Sequence, residues 1–120
     1  MMQPQHIRFA LALMVGALGL AACGDDLGDP TGSTCPADST LTYDNFGKEF
    51  VQSHCLACHS AAGPESPKLD TLDLIRGHAS DVDRAAAAGP SAVNTFMPEG
   101  SSVDEAERRK LGEWLACGAP

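Results

Sequence analysis

The chain has 120 residues, a fifth of them charged, with 16 acidic against 8 basic side chains and a formal net charge of −8. Nucleic acids and anionic lipids both select basic surfaces, so this balance argues against either as a charge-driven partner. Five cysteines in so short a chain call for an account of their bonding.

The first element is an apolar run from Phe9 to Ala22, broken only by Gly16 and Gly19 and preceded by Arg8. A membrane-spanning helix needs about 20 such residues, so the run reads instead as the hydrophobic part of an export signal covering residues 1–22. It ends Leu20, Ala21, Ala22, Cys23, which resembles the lipobox of bacterial lipoproteins. That resemblance implies diacylglycerol on the Cys23 sulfur, cleavage before it and acylation of the new amino terminus. Several acyl chains make such an anchor stable. The other reading is ordinary signal cleavage beside an unpaired cysteine. Residues 23–34 are rich in Gly, Asp, Pro, Ser and Thr and read as a flexible tether lifting a domain off the membrane. The expected location is the periplasmic side of a bacterial membrane, inner or outer.

Residues 35–120 form a single small domain without internal repeats. At this size a protein-only core is marginal, and a staple or cofactor is expected. Three helices are predicted. The first spans 43–57, with Thr42 as N-cap, Asp44 in the first turn, and Tyr43, Phe46 and Phe50 on one stripe. The second spans 71–88, capped by Asp70 or Thr71, with Leu72, Ile75, Ala79, Val82 and Ala86 on its buried face and Gly89-Pro90 as its stop. The third spans 102–117. Ser102 and Glu105 form a capping box, Val103, Ala106, Leu111, Trp114 and Leu115 face inward, and Gly118 ends it. No segment alternates like a strand, so the fold class is all-α.

The first helix leads into Cys55-Leu56-Ala57-Cys58-His59, a C-x-x-C-H run. Two thiols at this spacing can each add to one vinyl group of haem, and the histidine that follows is then held beneath the iron. With this motif in place, residues 43–117 resemble a class I cytochrome c, the small monohaem electron carriers. Gly47, eight residues before Cys55, matches the glycine that lets the family's amino-terminal helix cross its carboxy-terminal helix. Leu111 and Trp114 match the leucine and aromatic that pack at that crossing. One departure is Val51, where the family often has an aromatic; Phe50 lies beside it.

The resemblance implies a distal iron ligand as well. Removal of residues 1–22 would leave Met97 as the sole methionine, and Met97-Pro98 lies on a loop between the second and third helices, like the family's distal-ligand segment. A packing methionine is the alternative. His78 is a rival on the flank of the second helix. His54 and the lysines Lys48, Lys68 and Lys110 are weaker candidates. A carbonyl of Pro64 or Pro67 could accept the Nδ1–H of His59, as a proline after the motif does in the family. With Cys23, Cys55 and Cys58 assigned, Cys35 and Cys117 remain, and an even pair in an oxidising compartment reads as a disulfide.

Three functional readings follow. The leading one is a lipid-tethered monohaem cytochrome c with a His59/Met97-ligated haem, a one-electron carrier for periplasmic or respiratory redox partners and not an enzyme. The second is a five-coordinate haem peroxidase or gas-binding sensor, which needs a vacant distal position. The third, a dithiol or zinc module, lacks a βαβ pattern or a second C-x-x-C.

Overall fold

The computed structural model describes residues 27–120. The expected export signal over residues 1–22 and Cys23 lie outside the described residues. Thr42 opens the first helical segment with a reciprocal cap: its hydroxyl accepts from the Asn45 N–H, and the Asn45 side-chain oxygen accepts from the Thr42 N–H. Tyr43–Gly47 winds as a π-helical turn, and α1 (Lys48–His54) and the short α2 (Leu56–His59) follow. The expected single helix over 43–57 is therefore three pieces. The Gly47 N–H reaches back five residues to the Thr42 carbonyl, widening the turn where the Trp114 ring lies against Gly47. Cys55, at φ −120°, breaks regular geometry between α1 and α2.

The second predicted helix is likewise divided, into α3 (Leu72–Gly77) and α4 (Ala79–Ala86). Thr71 caps α3 through the Leu74 N–H. Gly77 is a poor helix former, and the next residue, His78 (φ −113°, ψ 18°), steps out of the helix with its N–H shared between the Leu74 and Ile75 carbonyls. The helix also stops before Gly89. Ala87 is extended, and Ala88 pairs antiparallel with Val93 in an isolated bridge. Ala87 and Ala88 are fully buried, so small side chains let this connection run through the interior. The last helix, α5 (Glu105–Ala116), starts three residues later than expected. Asp104 is its N-cap without a side-chain cap bond, so the Ser102 capping box does not form. Leu111, Trp114 and Leu115 face inward, but Ala106 is exposed and Arg108 is buried.

The described residues are helical, with no strand beyond that bridge. Their core gathers Phe46, Phe50, Ile75, Val82, Leu111 and Trp114. Trp114 is its centre, edge-on to Phe46 at 6.2 Å and stacked with Tyr43 at 6.4 Å. A Cβ added at Gly47 would overlap the Trp114 ring, so only glycine permits this approach. Cys35 is disulfide-bonded to Cys117, Cα atoms 4.7 Å apart, joining the chain before the first helical segment to the end of α5.

The stretch read as a tether is not free where the structure describes it. From Leu27 to Ser33 it lies along α4 as a strap. The Gly28 N–H donates to the Arg84 carbonyl (2.9 Å), and Arg84 Nε returns a bond to the Gly28 carbonyl (2.8 Å). Thr31, 1% exposed, gives both its N–H and its hydroxyl to the Asp83 carboxylate. Asn94 Nδ2 holds the Asp29 carbonyl. Short polar side chains thus seat a segment that has little apolar surface to bury.

Candidate functional site

The C-x-x-C-H run starts at Cys55, the break between α1 and α2, and its other four residues form α2. The Cys55 carbonyl accepts from both the Cys58 N–H (3.2 Å) and the His59 N–H (2.9 Å), closing one helical turn. Residues four apart in such a turn lie on one face, and Cys55 and His59 both line a single cavity of about 510 Å³. Cys58 is exposed beside it. Burial pushes the Cys55 thiol up to about 11, so it is protonated at neutral pH.

A connected loop fixes the histidine. His59 Nδ1 lies 2.8 Å from the Pro67 carbonyl, which settles the choice between Pro64 and Pro67 for this contact. A carbonyl can only accept, so Nδ1 carries a proton, and in the neutral ring the lone pair is then on Nε2. The Leu69 N–H bonds the His59 carbonyl at 2.8 Å, and Lys68 Nζ ties the Gly63 and Glu65 carbonyls at 2.7 and 2.8 Å. The Lys68 ammonium is therefore spent on the loop.

Met97 lines the same cavity, brought there by the loop after α4. Both its backbone polar groups are held. Its N–H donates to the Ala85 carbonyl (2.9 Å), and its carbonyl accepts from Arg108 Nη1 (2.7 Å). Val82, Ala85, Ala86 and Leu69 supply apolar wall, Phe96 stands half-exposed, and Leu27 of the strap joins the lining. His78 does not line the cavity; its Nδ1 faces Asp81 at 3.3 Å. His54 does line it, with its ring against Phe50 at 4.9 Å. Lys110 pairs with Glu107.

Arg108 escaped the sequence reading. It is 3% exposed, and its Nη1 donates to three carbonyls, those of Ala86 (2.8 Å), Asn94 (3.0 Å) and Met97 (2.7 Å). Its Nε reaches the Val103 carbonyl at 3.3 Å. Burial lowers the guanidinium pKa, and its hydrogen-bond partners among the described residues are backbone carbonyls. One side chain thus ties the end of α4 to the loop that carries Met97.

A cavity of roughly 300–1,000 Å³ with mostly apolar walls and a few convergent polar groups suits a cofactor-sized ligand. A soft thioether, an imidazole with its lone pair free and a thiol are a donor set that fits haem iron and a haem vinyl group. Among the described residues, no three His, Cys, Asp or Glu side chains gather to hold a bare metal ion. Compared with protein-family models, curated proteins and solved structures, the chain matches none.

Proposed function

We propose that this protein is a monohaem cytochrome c of class I type, tethered to a bacterial membrane through acylated Cys23 and carrying single electrons between redox partners. The observation that carries this reading is the convergence of Cys55, Nδ1-bound His59 and Met97 on one apolar cavity. In this reading Cys55 and Cys58 would hold the porphyrin by thioethers, and His59 and Met97 would ligate its iron. Haem supplies a one-electron iron couple when bound. The crossing at Gly47 and Trp114 supports a cytochrome c-like fold, since it meets the glycine and aromatic expectations together.

The chain's own residues set the properties of the site. The Pro67 carbonyl holds the His59 ring in one tautomer and makes Nε2 a stronger donor. The Met97 sulfur favours the reduced metal, raising the potential. The aliphatic side chains of Leu69, Val82, Ala85 and Ala86 lower the polarity around the site, and the pinned Met97 backbone limits the rearrangement that would accompany a change of charge. A sulfur at the distal position also disfavours the peroxidase or gas-sensor reading, which needs that position open.

The test is maturation of the full chain in cells with a haem-attachment system, followed by haem staining on a denaturing gel. The parent should stain, and Cys55→Ala/Cys58→Ala should not. Unstained parent protein from haem-replete cells, or staining of the double variant, would overturn the proposal.

A further inference from the structure

Leu27 is the described residue nearest in sequence to Cys23, and it lines the cavity that carries Met97 and His59. The bonds of the strap therefore fix where the anchored end leaves the domain: at the cavity. A free tether from Cys23 to Cys35 would reach up to about 40 Å and leave the domain's orientation open. Docking of Leu27 to Ser33 leaves only three residues between Cys23 and Leu27, four Cα-to-Cα steps that reach about 14 Å at full extension. Phe96, half-exposed, stands on the same cavity and gives that face an apolar side chain. Asp81 and Glu99 lie there as well, so contact is confined to the headgroup level and disfavours anionic lipid.

Resting on the haem and acylation readings above, we infer that the strap holds the cavity face against the lipid surface that carries the anchor. The electron partner met through this face is then membrane-borne, and the strap acts as an orienting device where a loose tether would act as a spacer. Asp83 and Arg84 on α4 are its clasp, through Thr31 and Gly28.

The experiment uses the full-length, haem-loaded, acylated protein in zwitterionic phosphatidylcholine vesicles containing a headgroup-labelled fluorescent lipid. Energy transfer from the label to haem falls steeply with separation. One variant inserts a twelve-residue Gly-Ser segment between Asp26 and Leu27, outside the described fold. A second, Thr31→Val, removes the hydroxyl bond to Asp83. Quenching by the parent should be strong, and the insertion should reduce it at least twofold, with a smaller reduction for Thr31→Val. Unchanged quenching in the insertion variant, with Soret absorbance and vesicle flotation intact, would overturn the inference while leaving both underlying readings standing. Missing Soret absorbance would instead overturn the haem reading, and missing flotation the acylation reading; either takes the inference with it.

Discussion

Replacing Arg108 with Met keeps much of the side chain's length and removes its donors. Four carbonyls lose a partner, three of them bonded by the same nitrogen at 2.7–3.0 Å. Leaving a buried carbonyl unpaired costs roughly 1–3 kcal/mol. The guanidinium is itself desolvated without a carboxylate partner, so its removal returns part of that cost. A net loss of about 3 kcal/mol results, which for a domain of this size lowers Tm by roughly 15 °C. Thermal unfolding of the matured protein followed by far-ultraviolet circular dichroism measures it. A structural defect alone would stop there. Because one of the freed carbonyls belongs to Met97, the Met–Fe(III) charge-transfer band should also weaken and carbon monoxide binding should accelerate, with partial restoration in Arg108→Lys. A Tm within 2 °C of the parent, with the band intact, would refute the reasoning.

Gly47→Ala should destabilise by about 1–3 kcal/mol despite alanine's better helix propensity, because Trp114 is fully buried and has no room to retreat; denaturant titration decides, and a stabilised variant would contradict the packing. Before haem attachment, iodoacetamide at pH 8 should modify exposed Cys58 first. Cys55, pushed up to about 11, should react roughly tenfold faster per added pH unit until the pH nears that value; equal rates at pH 8 by mass spectrometry would count against a formed cavity in the haem-free chain. Cys35→Ser/Cys117→Ser should lose up to about 4.5 kcal/mol by chain-entropy arithmetic for a separation of 82 residues, less where haem already restrains the unfolded chain. An unchanged denaturation midpoint would contradict it.

Local features of the sequence carried well. The Thr42 and Thr71 caps, the apolar face from Ile75 through Val82 to Ala86, and the glycine needed under Trp114 are properties of residues close in the chain or of a single size constraint. What escaped depends on distant partners. Arg108 sits in the run Glu105 to Lys110, whose charges suggest a solvated face, and it is drawn inward by carbonyls from α4 and the Met97 loop. The strap escaped because composition measures apolar area, whereas Thr31 and Gly28 are held by hydrogen bonds to Asp83 and Arg84, more than fifty positions away. The break at His78 shows a weak helix interior at Gly77 ending one helix before the next begins.

The central claim is a covalent haem closed by His59 and Met97, and the most direct measurement is the absorption spectrum of the matured protein beside Met97→Ala and His78→Ala. The account predicts a Soret band and a Met–Fe(III) charge-transfer band in the parent. Met97→Ala should lose the latter and take up carbon monoxide readily, and His78→Ala should match the parent. A parent spectrum that survives Met97→Ala, whether or not it is lost in His78→Ala, would contradict the account.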